Sequence, residues 1–148
     1  MVRLLEDYVD RLLALHDDMR RAVEGLSQEA LDWSPAPELN SMVVLVIHAT
    51  GAERYWIGDV VGRDSSGRDR DAEFRAHGLD AAALVERLDA TLAHSRTVLA
   101  GLAPSDLDVL RALPRDGREV TVAWALMHAL EHTATHLGHM QIVRQLWG

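Results

Sequence analysis

One stretch, Glu119 to Trp147, limits what this chain can fold into more than any other: EVTVAWALMHALEHTATHLGHMQIVRQLW. Each residue of an α-helix advances ~100° about the axis. With Val122 at the origin, Leu126, Ala129, Thr133, His136, Met140, Val143 and Trp147 fall within about 60° of one line. The spacing predicts a single long amphipathic helix whose apolar stripe faces a core. His136 lies in the middle of that stripe, an unfavourable place for an imidazole with nothing to bind. His132 is one turn earlier, roughly 80° from the line, and His128 and His139 are farther round at roughly 100–120°. Histidines four residues apart present two ring nitrogens on one side of a helix, close enough to hold one metal ion. The pair His132 and His136, joined by a third histidine from elsewhere, is the predicted site. His128 with His132 is the alternative pair, but it would draw an ion off the core-facing side.

A stripe of this length needs partners, and three further segments supply them. Leu5, Tyr8, Leu12, Leu15, Met19, Ala22 and Leu26 alternate three and four apart, which predicts a helix over 2–26 with charges on its other face. His16 lies beside that seam and is expected to be solvated or hydrogen-bonded. Ser27 is placed to cap a short helical turn, and Pro35 and Pro37 break it into an extended link. Asn40 or Ser41 then caps a second long helix. Six apolar residues, Met42 to Ile47, are followed by His48, and helical spacing continues through Ala49, Ala52, Tyr55, Trp56 and Val60. A run that is apolar on all sides implies deep burial. Alone, His48 reads as a core histidine bonded to a carbonyl. Beside a helix presenting His132 and His136, it becomes the predicted third ligand. Residues 58–78 read as a polar connection anchored by Phe74, with a helical turn near Asp71 to Arg75 and a solvated His77. Asp80 caps a helix over 81–100 with the seam Ala81, Leu84, Leu88, Leu92, Ser95 and Leu99, while His94 lies off it at the surface. Gly101 ends that helix, and Asp116-Gly117 marks a hairpin or loop before the last one. Four long helices of this kind predict an all-α, four-helix bundle with short extra helical turns in its connections, and 148 residues suit one domain, 1–148.

Composition narrows the function. Acidic residues number 23 against 15 basic ones, a formal charge of −8, and the basic residues are scattered. No phosphate-tracking patch is formed, so nucleic acid is not an expected partner. The absence of cysteine excludes disulfides, a cysteine zinc site and a catalytic thiol. MVRLLEDYVD places acids where a secretory leader needs an apolar run, and no apolar segment approaches the ~20 residues that span a bilayer. A cytoplasmic protein without a membrane partner is the expectation. No glutamate is followed three residues later by histidine, so a ferritin-like di-iron centre is not predicted. His-Glu-x-x-His, the Gly-x-Ser-x-Gly elbow and the phosphate loop are missing too.

Asn40-Ser41 leading through apolar residues to His48, then Glu53 and Trp56, and finally EHTATHLGHMQIVRQLW together resemble the DinB-like metal-binding superfamily. GLSQEALDWSPAP, from Gly25 to Pro37, resembles the family's segment between the first two helices. The resemblance takes in nearly the whole chain. It implies a DinB/YfiT-like four-helix bundle, commonly a homodimer, with a divalent metal on three residues. Those map onto His48 of the second helix and the pair His132 and His136 of the last. The family often carries His-His-x-Gly-Gln around the last ligand. Here Thr135 and His139 stand at the two variant positions, which touches no predicted ligand but leaves the substrate pocket's rim unassigned.

The same resemblance implies a class of chemistry, since characterised relatives are transferases and isomerases that use bacillithiol or mycothiol. Three neutral imidazoles leave an ion's charge uncompensated and a coordination position open. Water or a low-molecular-weight thiol entering that position loses its proton near neutral pH and can meet an electrophilic substrate. The enzyme needs no cysteine of its own for this. One divalent ion per chain is implied, zinc or nickel first, with iron or copper also suited to three nitrogens. Glu53 and Glu131 are candidate bases or acceptors behind the ligands, although each also reads as a surface charge. Tyr55 and Trp56 are candidates for the pocket mouth or for plain core. Leu137 and Trp124, apolar and off the seam, hint at a dimer face. The alternative function is a non-catalytic, metal- or small-molecule-binding stress-response bundle. A third possibility is a purely structural bundle whose histidines bond to one another.

Overall fold

The computed structural model describes residues 2–148. Four long helical rods form the bundle. Helix α1 (Arg3–Val23) packs against α5 (Ala81–Ala100) and α6 (Val122–Trp147), and α3 (Met42–Glu53) lies against α5 and α6. Along α1 the buried line is Leu5, Val9, Leu12, His16, Met19, Ala22 and Val23. Val9, His16 and Val23 thus take places that strict heptad spacing gives to Tyr8, Leu15 and Leu26. A straight helix turns every 3.6 residues, so its buried stripe drifts from a 3.5-residue seam.

Short polar side chains start most of the helices. The Ser27 hydroxyl accepts from the Ala30 amide at 3.2 Å to open α2 (Gln28–Asp32), and Ser41 accepts from Val44 at 3.1 Å to open α3. Asp80 accepts from Ala83 at 2.9 Å before α5, and Thr121 from Trp124 at 3.1 Å before α6. Each satisfies an amide that the first helical turn leaves without a partner.

Every residue of α3 from Met42 to Glu53 is buried, which makes it the central rod. It does not end at Glu53. The chain continues as a π-helical segment, Arg54–Val61, in which the Gly62 amide reaches back five residues to the Ile57 carbonyl at 3.0 Å. The polar connection accordingly begins only after Val61, because Val60 and Val61 are still core. It contains one turn of helix, α4 (Arg70–Glu73), capped by Asp69. A 3-10 turn, Pro104–Asp108, leads into an antiparallel hairpin of β1 (Leu110–Ala112) and β2 (Glu119–Thr121), with Arg111 opposite Val120. Residues Glu119 to Thr121, expected to be helical, are therefore strand. Gly117, at φ +74°, provides the left-handed turn that returns the chain, and this pairing captures the residues before the Thr121 cap.

The apolar core has two halves. One gathers Leu5, Leu12, Trp56, Ile57, Leu99, Val122 and Leu126; the other gathers Met19, Leu31, Met42, Leu84, Leu88, Leu137 and Met140. In sequence, the buried polar residues His16, Thr50, Thr91 and Thr133 fall between these halves on all four rods, and His48 lies one turn from Ala52 at the edge of the second half. Leu137 belongs to the second half, 6% exposed, rather than to an outer face, whereas Trp124 stays on the surface and Trp147 is 37% exposed. Among the described residues no helix is long and apolar enough to cross a membrane.

Candidate metal centre

The polar layer opens between α3 and α6. His48 is two turns into α3, and His132 and His136 are successive turns of α6. Each offers one ring nitrogen, and the three nitrogens lie within 4.8 Å of one another. The His48 ring centroid is 4.9 Å from that of His132 and 4.8 Å from that of His136. The Nε2 atoms of His132 and His136 face each other at 3.2 Å. Two nitrogens bound tetrahedrally to zinc at ~2.0–2.1 Å are roughly 3.3 Å apart, so this pair is spaced for a shared ion. The donor set fits in charge as well. Burial, reinforced by His136 and His48, pushes His132 down to about 3. Burial, with His48 and His139 beside it, pushes His136 down to about 4. Both rings are neutral at pH 7, the form that a metal requires.

Behind His48 stands a residue that the sequence did not announce. Glu73, on α4, is 6% exposed, and its Oε1 is 2.9 Å from His48 Nδ1. Arg68 donates to both of its oxygens, Nε to Oε2 at 2.8 Å and Nη2 to Oε1 at 2.9 Å. Burial works to raise the Glu73 pKa, but the hydrogen bonds from His48 and Arg68 outweigh it and hold the carboxyl below its usual range. An ionised carboxylate on Nδ1 fixes the His48 tautomer and leaves Nε2 as the nitrogen free for an ion. Gly51 makes the approach possible: a Cβ there would be 2.8 Å from the Glu73 carboxyl carbon. Phe74, 37% exposed and so only partly an anchor, lays its ring 4.7 Å from that of His48.

The other predicted residues are placed elsewhere. Glu131 is 77% exposed at its side chain, with no close partner beyond His128 at 3.9 Å, and stands outside the cluster. Glu53 is not a surface charge. It is 1% exposed, accepts from Ser95 Oγ at 2.7 Å, and its Oε2 is 2.6 Å from His16 Nε2. His16 is fully buried and hydrogen-bonded, not solvated. His128 leaves the trio and stacks on Trp124, ring centroids 5.0 Å apart and 10° from parallel. His139 meets His136 Nδ1 to Nδ1 at 3.2 Å from the exposed side. Tyr55 and Trp56 are core, at 6% and 3% exposure. His77 is exposed, and His94 pairs with Asp64 at 2.9 Å on the surface. Glu73 and Arg68 lie in a connection without periodicity. The only signal that could have found Glu73 is the buried His48 itself, whose second nitrogen needs a partner.

Comparisons with known proteins agree with this architecture. A family profile described as mycothiol-S-transferase matches residues 4–147. No curated protein matches the chain. Among solved structures, a conserved protein from Enterococcus faecalis superposes with a TM-score of 0.83 at 14% identity, covering 99% of this chain and 98% of that one. A DinB-like protein from Bacillus cereus gives 0.77 at 17% identity, covering 97% and 92%. A DinB-like protein from Bacillus subtilis gives 0.73 at 21% identity, covering 96% and 92%. These likenesses concern the fold, a DinB-like all-α bundle.

Proposed function

The chain belongs to the mycothiol-S-transferase family, and from that premise we propose that it is a metal-dependent thiol S-transferase. In this reading His48, His132 and His136 hold one divalent ion, zinc or nickel foremost, and the substrates are a low-molecular-weight thiol and an electrophile. The observation that carries the reading is the convergence of three imidazole nitrogens within 4.8 Å, drawn from two rods. When bound, the ion supplies a Lewis acid beside which a thiol loses its proton near neutral pH.

The chain's own residues supply the rest. Glu73 holds the Nδ1 proton of His48 and fixes the plane of that ring, while Arg68 fixes Glu73. Burial keeps His132 and His136 neutral, so protons do not compete for their nitrogens at pH 7. The Phe74 ring covers the His48 ring and thins the water around it. With no cysteine in the chain, the sulfur comes from the thiol substrate. Exposed Leu39, Ile142 and Leu146, around an apolar groove of about 270 Å³, support a homodimer, which sedimentation would test.

The deciding experiment uses protein purified without a histidine tag. About one tightly bound divalent ion per chain is expected by elemental analysis. Conjugation of mycothiol to an electrophile is expected to vanish, together with the ion, in His48→Ala and His136→Ala. Metal-free wild-type protein, or full conjugation by the variants, would overturn the reading.

A further inference from the structure

One turn before the three imidazoles, at the end where α3 passes into its π-helical segment, a second constellation is built. Trp56 is 3% exposed and meets two rings edge-on: Trp124 at 5.5 Å and His128 at 4.6 Å. Trp124 is 38% exposed, and His128 is 6.1 Å, centroid to centroid, from His132. The turn between β1 and β2 then lays two arginines on this platform. Arg115 Cζ is 5.4 Å from the Trp56 centroid and Arg118 Cζ is 5.6 Å from that of Trp124. Among the described residues neither guanidinium makes a side-chain hydrogen bond, and Arg115 Nε lies 3.8 Å from Asp116, a sequence neighbour.

That pairing is unexpected in a chain with 23 acidic and 15 basic residues. Several other arginines of the chain are engaged, although Arg70 also lies on an aromatic ring, that of Phe74, at 5.0 Å. Arg54 and Arg68 bind carboxylates, Arg20 binds Asp17, and Arg144 binds the carbonyls of Ala22 and Glu24. A guanidinium held on an indole is weakly hydrated and keeps its N–H fork for a bidentate acceptor. Burial lowers the pKa of His128; the Glu131 carboxylate beside it opposes the shift, and Arg115 and Arg118 add to the lowering.

We propose that Arg115 and Arg118, held on the Trp56–Trp124 platform, bind the carboxylate of the electrophilic substrate. From Arg118 the rings of Trp124 and His128 lead on to His132, so the substrate class is an aromatic or conjugated electrophile bearing a carboxylate. This rests on the transferase reading for its chemistry but not for its binding. The step for an aryl chloride is a substitution. The thiolate sulfur forms a bond to the ring carbon, the carbon–chlorine bond breaks, chloride leaves with the bonding pair, and the thiol proton passes to solvent.

The test compares two electrophiles that differ by one carboxylate, 4-chloro-3,5-dinitrobenzoate and 2-chloro-1,3-dinitrobenzene, with metal-loaded protein and mycothiol. After correction for the uncatalysed rates, kcat/KM is expected to favour the acid by about tenfold or more, the scale of a charge-assisted hydrogen bond. That ratio is expected to fall towards one in R115Q/R118Q, and in wild type as salt rises from low to high ionic strength. A second arm needs no turnover. Binding of unreactive 3,5-dinitrobenzoate, against 1,3-dinitrobenzene, is followed by tryptophan quenching in wild type and the double variant, with circular dichroism as the check on folding. If neither electrophile is conjugated, the transferase reading fails and this arm still decides the anion site. Equal binding of the acid and the neutral compound, or a preference unchanged in the double variant, would overturn the proposal.

Discussion

The molecule holds two buried histidine–glutamate pairs, and they differ in almost everything but composition. His16 and Glu53 join α1 to α3 at 2.6 Å; His48 and Glu73 join α3 to α4 at 2.9 Å. In the first pair Glu53 takes its other hydrogen bond from Ser95, and His16 Nδ1 is buried without a protein partner. The pair is a cross-brace among three rods. In the second, Arg68 grips Glu73, and the rest of the His48 ring faces His132 and His136. A histidine bonded to a carboxylate is thus no site by itself. A site arises where the remaining ring nitrogen meets other donors from a neighbouring rod.

The comparison is broken or sharpened first by deleting each histidine. His48→Ala is expected to abolish tight metal binding while the bundle stays folded, because Glu73 keeps Arg68. His16→Ala is expected to cost about 3–5 kcal/mol of stability, the scale for stranding one partner of a buried polar pair. The metal affinity of the folded fraction should not change. Chemical denaturation and metal titration of both variants check this; loss of metal in His16→Ala would erase the distinction. Next, Glu73→Gln is expected to weaken metal binding by roughly 10–100-fold, since the carboxylate acts through the ligand's tautomer and orientation. Glu53→Gln should leave affinity alone and lower stability, and competition with a chromogenic chelator measures both affinities.

Acid separates the regions further. His132 and His136 are held at about 3 and about 4 in the folded protein, below the ordinary 6.5. Above pH 6.5 they are neutral folded or unfolded, so their contribution is fully present. As pH falls from 6.5 towards 4, the unfolded chain takes up protons that the folded rings refuse, and stability declines. Metal-free wild type should therefore lose Tm on acidification more steeply than His132→Gln/His136→Gln. Equal slopes would show that these rings do not carry the effect. The smallest expected change is at a cap remote from both pairs: Ser41→Ala should cost about 1 kcal/mol by denaturation, with metal affinity untouched.

Much of this was legible in the chain, and for identifiable reasons. The seams of α1, α5 and α6 are periodic, and Ser27, Ser41 and Asp80 stand where helices begin. The juxtaposition of His48 with His132 and His136 follows from two helix faces that must meet. Glu53 was harder, because α3 is apolar on all sides and offers no polar face by which to orient its single acid. Glu73 was out of reach because it acts from a connection whose path no periodicity encodes. The π-helical turn was hidden for a related reason: buried residues continue through it, and only the hydrogen-bonding partner changes. Leu137 looked peripheral on a narrow stripe, yet the second core half wraps wide enough to enclose it.

The division of the apolar interior by a polar waist has a consequence for how such a protein can change. Each half packs largely against itself, so residues at the hairpin end can vary with little repacking beyond the waist. On the proposed reading the waist holds the metal centre, while the hairpin end is left free to drift towards new substrates. A lineage built on this plan could diversify what it recognises faster than how it reacts.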